Sequence, residues 1–457
     1  MCLFARMRTR PFVANFLGLV AALALFPVAA LADADAPPPE DFRFAPGFSA
    51  VQTITLMRTD DGVRFDWPAI PAWDTVFLGT RSDGAEAAPF VEVTAGPARL
   101  TQYFDAHALG ARWINLSALR GIAPGTTVIV HTHGITLDVN AVLRSFDNHL
   151  DLHTRLLVIA PHPDDAEIAA FGLYAERSST IVTLTAGNAG DMNYRAEVSD
   201  PAEHYRWKGY LRAVDSVTVP WQGGISPEHT FNLGYFDARL EQMHDEPDRV
   251  FAEMYGPNTD VAVYRRANLG TLLPKDSRSN SWRHLVEDLV TILREVNPAL
   301  VVMPDPRLDG HHDHKFAAVA LAQALDQWGG TARFLLYTNH FAENRYPFGP
   351  AGTVMTLPVA GPLWLEGVYS YPTPPAMQRR KEFALESMHD LRLSPEEQSN
   401  CGLPGVERRP DYPRQVEEDY LRRAPRDNEL FYVFDRDGLR QVVNDFLQSR
   451  SATESRP

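Results

Sequence analysis

The feature that most constrains the fold is a regular alternation of short apolar runs and helix-length segments after Arg155. Runs of strand length such as RLLVIA and ALVVMPD are followed by longer segments such as AEIAAFGLYAE and KFAAVALAQALDQW. In SWRHLVEDLVTILREVNP, Leu285, Leu289 and Ile292 share one helical face, and Pro298 ends the pattern. This alternation predicts a doubly wound α/β domain with a mostly parallel sheet, in which ligands bind beyond the carboxyl ends of the strands.

Residues 42–151 have a different pattern. Short apolar or alternating runs such as AVQTITLM, VRFDW and TTVIVHTHGITLDV are separated by turn signals, and no long helical period interrupts them. This spacing predicts a small all-β accessory domain with a sandwich-like arrangement. A structural or interface role is favoured for it, and carbohydrate binding through exposed aromatic residues stays open.

The N-terminus has the three parts of a secretory signal peptide. Three arginines precede the apolar run from Phe16 to Leu25, and a small-residue pattern ends at Ala32. We therefore expect an exported protein, periplasmic or secreted, although an uncleaved N-terminal anchor is the alternative. Cleavage changes the formal charge from −15 to −18, because the segment carries three arginines and no acid. Such a charge argues against nucleic acid and anionic lipid surfaces as partners.

The cysteines exclude a disulfide framework. Cys2 is lost with the predicted signal peptide, which leaves Cys401 without a second cysteine. Stability is therefore expected to come from a large apolar core rather than from cross-links.

The first chemically informative segment is VIAPHPDDAEIAA. It places His162, Asp164 and Asp165 at the carboxyl end of the predicted strand RLLVIA. His162 and Asp165 are three residues apart, so one helical turn brings both side chains to one side while Asp164 points elsewhere. Such a turn can offer an imidazole and a carboxylate to a metal. The alternative is that one aspartate caps the following helix, and the segment alone leaves both interpretations open.

The second informative segment, LDGHHDHKFAAVA, follows the predicted strand ALVVMPD. It brings His311, His312, Asp313 and His314 to the same expected edge of the sheet, directly before a helix. Three histidines and two aspartates within six residues at this edge favour a third metal ligand over a chance cluster.

Together, APHPDDAE and DGHHDH resemble the HPDD and HxDH signature motifs of the LmbE-like or PIG-L family of zinc-dependent N-acetylglucosaminyl deacetylases. The resemblance extends from Arg155 to about Leu325 and includes VTLTAGNAGD between the two motifs. It implies a Rossmann-like catalytic domain. It also implies that one Zn²⁺ is bound by His162, Asp165 and His314.

The resemblance further implies the catalytic roles. Asp164 corresponds to the general base, and His311, oriented by Asp313, corresponds to the group that stabilises the oxyanion or protonates the leaving amine. A His/Asp/His set leaves one position open on the metal, as catalytic zinc sites require. Other divalent metals remain compatible with this ligand set.

Two substrate contacts are also expected from the resemblance. In YRWKGYLRAV, Arg206 and Ala213 fit a helix pattern of the family, although Gly209 stands where the family has an acid. In NLGYFDARL, Asp237 corresponds to an aspartate near the sugar. Beyond Asn339, GPLWLEGVYSYPTPP is expected either to shape the cleft or to pack on the β domain.

A further pair of histidines lies outside these motifs. His131 and His133 alternate along a predicted strand, so their imidazoles share one face. Because the local sequence offers no acid, a second metal site there is the disfavoured interpretation.

The predicted organisation therefore has five parts: a signal peptide at 1–32, a linker at 33–41, an accessory domain at 42–151, a deacetylase domain at 152–448 and a disordered tail at 449–457. The expected function is hydrolysis of the N-acetyl group of an amino sugar by a metal-activated water. Two alternatives remain: the same metal site acting on a non-sugar amide, and an inactive carbohydrate-binding protein. No membrane span is expected after signal cleavage.

Overall fold

The computed structural model describes residues 42–342, 344–358, 361–391 and 421–454. These residues form a mixed α/β structure with several sheets, which confirms the predicted class at that level. The predicted signal peptide, the linker, Cys401 and residues 455–457 lie outside the described residues. Within the described part of the chain, no helix is both long enough and apolar enough to cross a bilayer.

An eight-stranded antiparallel sheet occupies the first part of the described chain. Its strands are β2 (Ser49–Thr55), β3 (Met57–Thr59), β4 (Gly62–Asp66), β5 (Thr75–Ala95), β6 (Ala98–Tyr103), β7 (Gly110–Asn115), β8 (Thr127–Leu137) and β9 (Asn140–Phe146), and β1 (Phe42–Phe44) precedes them. The all-β character predicted for this region agrees with these strands, but the predicted sandwich of separate sheets does not.

The long strand β5 explains the difference. Its first part pairs with β7 and β9, and its second part pairs with β6 and β8. One continuous strand therefore joins the two groups of strands that a sandwich would hold in separate sheets. Val76 and Leu78 of the first part share one apolar core with Val91 and Val93 of the second part. The result is a single, nearly barrel-like sheet. The sequence DTVFLG predicted only the start of this strand.

A seven-stranded sheet carries the second part of the chain. Across the sheet its strands are β12 (Thr230–Tyr235), β11 (Ser179–Thr185), β10 (Leu156–Ala160), β13 (Leu300–Pro304), β14 (Arg333–Tyr337), β17 (Asn428–Phe434) and β16 (Gly367–Pro372). The five strands from β12 to β14 are parallel, and β17 pairs antiparallel with both of its neighbours.

Helices cover both faces of this sheet. They are α1 (Asp165–Tyr174), α2 (Pro201–Thr218), α3 (Leu240–Asp245), α4 (Ala262–Arg265), α5 (Trp282–Val296), α6 (His312–Trp328), α7 (Pro375–Ser387) and α8 (Arg436–Glu454). Residues 449–454, predicted as part of a disordered tail, are therefore the last residues of α8, so the prediction is wrong for them.

The burial of β10 shows why its sequence is apolar without alternation. Leu157 and Ile159 belong to the core that contains residues of α5 and α6, whereas Leu156 and Val158 belong to the core that contains residues of α1. Successive side chains of a strand point to opposite faces, so a strand covered on both faces needs apolar residues at every position.

The segment GPLWLEGVYSYPTPP supplies β15 (Leu363–Leu365) and β16. β15 pairs in parallel with β1, and Asn148 Nδ2 donates a hydrogen bond to the carbonyl oxygen of Val368 in β16 at 2.9 Å. Of the two roles expected for this segment, packing on the β domain agrees with these contacts.

Candidate metal centre

Three side chains converge where β10 and β13 end. His162 follows β10, Asp165 begins α1, and His314 lies in the first turn of α6. His162 Nδ1 lies 3.1 Å from His314 Nε2 and 3.3 Å from Asp165 Oδ2, and His314 Nε2 lies 3.0 Å from Asp165 Oδ2. Their side chains are 8%, 1% and 0% exposed. The three residues predicted as ligands therefore direct three donor atoms at one another in a buried site.

Neighbouring polar groups hold these donors in place. Asp309 Oδ2 lies 3.0 Å from His314 Nδ1, on the far side of the imidazole. Asn339 Nδ2 donates to Asp165 Oδ1 at 2.8 Å, and the backbone amide of His162 donates to Asp165 Oδ2 at 2.8 Å. A carboxylate behind an imidazole and a hydrogen-bonded carboxylate ligand are typical of metal sites in proteins.

The charges of the centre reinforce one another. Burial alone would lower the pKa of His314, but Asp165 and Asp309 on its two sides raise it to about 10. Burial opposes ionisation of Asp165 as well, and the adjacent His314 and His162 hold its pKa well below the usual range. The side chains of the centre thus favour positive charge beside Asp165, which is also what a bound cation would supply.

The Asp164 carboxylate is not among the three converging donor atoms, and its closest charged partner is Arg212. Asp164 precedes α1 without making a side-chain cap, and its Oδ2 lies 3.2 Å from Arg212 Nη2. Burial raises the pKa of Asp164 to about 6, although Arg212 acts in the opposite direction. The structure therefore gives no support to the alternative in which this aspartate caps the helix.

His311 stands at the N-terminus of α6. Its Nδ1 accepts a hydrogen bond from the backbone amide of Asp313 at 3.2 Å, so a neutral His311 carries its proton on Nε2. Burial, together with His162 and His314, lowers the pKa of His311 to about 3. The imidazole is 4.6 Å from that of His162 between ring centroids, in a T-shaped arrangement. His311 is therefore a neutral donor beside the three converging atoms.

The Asp313 carboxylate contacts groups other than His311. Its oxygens accept hydrogen bonds from the backbone amides of Ala238 and Leu240, at 2.7 and 3.1 Å, and one oxygen lies 3.4 Å from His162 Nε2. The orientation of His311 by Asp313 therefore stays a prediction, and the contact that the structure offers for it is the backbone amide of Asp313 rather than the carboxylate.

Asp237 also contacts His162. Its Oδ1 lies 3.1 Å from His162 Nε2, and Asn188 Oδ1 accepts a hydrogen bond from its backbone amide at 3.0 Å. Burial favours the neutral acid, but His162 holds the pKa of Asp237 below its usual range. Asp237 thus lies beside His162, and the substrate contact expected for it stays a prediction.

The donor set fits a tetrahedral metal ion. Zinc with ligands at about 2.0 Å requires donor atoms about 3.3 Å apart, and the three distances among His162, Asp165 and His314 are 3.0–3.3 Å. Further donors surround them. Groups of three with atoms within 4.8 Å of one another are His162/His311/His314, Asp165/His314/His340 and His162/Asp237/Asp313. The centre therefore contains candidate metal-binding groups, and the donor types do not select one divalent metal.

The sequence model of the PIG-L protein family, whose description is GlcNAc-PI de-N-acetylase, matches residues 157–325. This range contains both motifs. The resemblance to the PIG-L family that the two motifs predicted is thereby confirmed for this segment. None of the curated proteins matches the chain.

Two solved structures each align with 62% of this chain. The A40926 pseudoaglycone deacetylase Dbv21 is 19% identical, with a TM-score of 0.34, over 62% of this chain and 98% of that chain. GalB, the 4-carboxy-2-hydroxymuconate hydratase from Pseudomonas putida, is 11% identical, with a TM-score of 0.29, over 62% and 95%. Likeness at this level carries no functional argument, so function depends on the side chains of the PIG-L segment.

Within this PIG-L segment, two arginines of α2 lie in different surroundings. Arg206 lines a surface depression with Trp207 and Tyr210, whereas Arg212 contacts Asp164. Six residues of helix correspond to a rotation of 240°, so the two arginines point in different directions from α2. Arg212 is therefore the arginine of α2 that contacts Asp164, and the substrate contact expected for Arg206 stays a prediction.

Gly209 of α2 lies in a closely packed place. A Cβ at this position would lie 2.6 Å from Cε1 of Tyr264 and 2.8 Å from Cβ of Asn188. An acidic side chain cannot occupy this space without moving both neighbours. Glycine therefore lets α2 pack closely against Tyr264 and Asn188, which orders Asn188 beside Asp237.

Sequence reasoning missed four further residues at the centre. They are Asp309, Asn339, His340 and Arg212. Asp309 stands two residues before His311, so a search for acids beside the second motif could have found it. Asn339 and His340 follow β14, and the parallel order of β14 beside β13 was the available signal.

Proposed function

We propose that the protein is a zinc-dependent deacetylase that hydrolyses the N-acetyl group of an amino sugar in a glycan or glycoconjugate. The observation that carries the proposal is the set of three buried donor atoms, from His162, Asp165 and His314, at 3.0–3.3 Å from one another. This set leaves one side of a tetrahedral ion without a protein ligand, as in catalytic rather than structural zinc sites. The PIG-L match, described as a de-N-acetylase, supports the reaction class.

The metal would supply a Lewis acid that makes a water acidic near neutral pH and polarises the amide carbonyl. Asp164 would accept the proton of that water at its carboxylate, which is not among the three converging donors. Its pKa of about 6 leaves it ionised and basic at neutral pH. Arg212, bound to Oδ2 of Asp164, would fix the orientation of this carboxylate.

His311 would meet the charge that develops on the amide oxygen or protonate the leaving amine. Its Nδ1 is occupied by the backbone amide of Asp313, so Nε2–H is the donor. Asp237 and Asp313 would hold the far nitrogen of His162 and keep its Nδ1 directed at the other two donors. In this arrangement Asp237 positions His162 in addition to any contact with the sugar.

The test is acetate release from chitooligosaccharides and monomeric N-acetylglucosamine by zinc-reconstituted protein. Wild type is compared with Asp164→Ala, His314→Ala and a control, His131→Ala, in which the lost imidazole pairs with an acid away from the centre. The proposal expects release by wild type and by the control. It expects loss of metal and activity in His314→Ala, and loss of activity alone in Asp164→Ala.

Two other results would replace the proposal. A bound metal without acetate release, accompanied by hydrolysis of a non-sugar amide, would assign the same centre to another substrate. Glycan binding without a stable metal would support an inactive carbohydrate-binding protein. We also propose that residues 1–32 direct export to the periplasm or the medium, which N-terminal sequencing of the mature protein would test.

A further inference from the structure

Asp390 lies beside the centre although it comes from a part of the chain outside the PIG-L match. It belongs to the short 3-10 turn His389–Leu391, after α7. Asp215 accepts hydrogen bonds from the backbone amide and Nδ1 of His389, at 2.8 and 2.7 Å. Asn193 Nδ2 donates to the carbonyl oxygen of Asp390 at 3.3 Å. These anchors fix the turn against α2 and the loop that precedes it.

The Asp390 carboxylate joins two cations, the buried Lys208 and the partly buried Arg212. Its Oδ2 lies 2.9 Å from Arg212 Nη1 and 3.4 Å from Lys208 Nζ, and the side chains of Asp390 and Lys208 are 8% and 3% exposed. The other terminal nitrogen of Arg212, Nη2, lies 3.2 Å from Asp164 Oδ2. Arg212 therefore links Asp390 to the residue proposed as general base.

The guanidinium group of Arg212 lies between its two acids and against the backbone of Gly187. A Cβ on Gly187 would lie 2.5 Å from Arg212 Nε, so the guanidinium group packs directly on the backbone there. Gly187 has a φ of +64°, which favours glycine for a second reason. The direction of the guanidinium is thus set by Asp390 on one side and Asp164 on the other.

The arrangement of Asp390 is poor for stability alone. Its Oδ1 is buried with no hydrogen-bond partner among the described residues, and such an oxygen carries a desolvation cost. A carboxylate retained at that cost is expected where its charge has a further use.

We infer that Asp390 is a positioning residue for the proposed deacetylation. By sharing the guanidinium group, it confines the contact between Arg212 and Asp164 to Oδ2 and leaves Asp164 Oδ1 to accept the proton of the attacking water. Without Asp390, Arg212 would turn toward Asp164 and pair with both oxygens, because the guanidinium fork favours bidentate contact with a carboxylate. This inference rests on the proposed function.

The kinetic test compares wild type, Asp390→Asn and Asp390→Glu, all loaded with zinc. Asp390→Asn should lower kcat by about tenfold, with KM and zinc content unchanged, and Asp390→Glu should recover most of the loss. Asp288→Asn is the matched control, because Asp288 in α5 is a buried acid whose Oδ2 lies 2.6 Å from Arg265 Nη2. It should lower the unfolding temperature without lowering kcat.

A second variant identifies the route of the effect. In an Arg212→Gln background, Asp390→Asn should cause no further loss of kcat, because Asp390 acts through Arg212. An equal loss in both backgrounds would overturn the inference. A kcat for Asp390→Asn equal to that of wild type would overturn it as well.

A measurement without substrate separates this inference from the proposed function. Crystal structures of zinc-loaded wild type and Asp390→Asn should show Arg212 paired with one oxygen of Asp164 in wild type and with both in the variant. An unmoved Arg212 would overturn the positioning role whatever the substrate is. If Arg212 moves as expected but the protein releases no acetate, the proposed function and the kinetic part of the inference are overturned. The effect of Asp390 on the position of Arg212 would still hold.

Discussion

Two groups of histidines in this protein have acidic partners, yet only one group converges. In the accessory sheet, His131 Nδ1 lies 2.7 Å from Asp61 Oδ2, and His133 Nε2 lies 2.9 Å from Glu92 Oε2. The sequence suggested that no acid was near these histidines, but neighbouring parts of the sheet supply one to each. Every one of these four side chains is at least 33% exposed.

At the centre, by contrast, His162 and His314 are 8% and 0% exposed, and their donor atoms approach each other as well as Asp165. Each group of three close donors found among the described residues contains His162 or His314. Water can solvate an exposed pair, whereas buried donors of this kind require a partner for their charge. Burial and convergence, rather than histidine spacing, therefore distinguish the candidate metal centre.

The largest effect is expected from removing a donor of the centre. His314→Ala should abolish stoichiometric zinc binding and acetate release, because two remaining donors do not hold the ion. Metal analysis after dialysis, followed by the acetate assay, measures both. Zinc retained at wild-type level in this variant would remove His314 from the ligand set.

The next largest effect is expected from Asp164, the proposed general base, and distinguishes its role from that of the metal ligands. Asp164→Asn should lower kcat by about 10²–10⁴-fold, because the amide cannot accept the proton of the water. Zinc content should stay at the wild-type level, since Asp164 faces Arg212 instead of the three donors. Kinetics at saturating substrate and metal analysis on the same sample test this, and a parallel loss of zinc would contradict it.

A smaller effect is expected from changing a carboxylate that contacts a metal ligand without being a ligand itself. Asp309→Asn should weaken zinc binding by about 10–100-fold, because the carboxylate that orients His314 through Nδ1 is lost. Competition with a chelator of known affinity measures the change. Asp326→Asn, which alters an acid paired with Arg440 at the surface, is the control. Equal zinc affinities for both variants would show that Asp309 does not support the ligand.

The smallest effect is expected in the accessory sheet. His131→Ala and His133→Ala should leave zinc content and kcat unchanged and should shift the unfolding transition little, because exposed ion pairs contribute little to stability. Thermal unfolding and metal analysis test this. A loss of zinc in either variant would mean that the exposed pairs are a second metal site, and the contrast between the two groups would fail.

The residues of the centre that could be predicted from sequence are those in the turn that directly follows a strand. His162, Asp165 and His314 follow strands whose apolar sequence identifies them, and parallel strands bring their carboxyl ends to one edge. The contacts of Asp313 were not predictable in this way, because its partners are the amides of Ala238 and Leu240, which follow a different strand.

Other features depend on how distant parts of the chain pack together. Arg206 and Arg212 lie on one helix, and only the rotation of α2 against the sheet decides which arginine reaches Asp164. The separate layers expected for the β region became one sheet because β5 continues through 21 residues, past the polar segment SDGAEAAP. Asp390 contacts Arg212 across 178 residues of sequence, and no local pattern encodes such a contact.

The most direct test of the metal-dependent account is a zinc titration of metal-free wild-type protein, with acetate release from chitooligosaccharides measured at each point. The account predicts one zinc bound per chain and release that rises in proportion to it. Release that does not depend on the bound metal would contradict the account, as would one bound zinc per chain with no release of acetate.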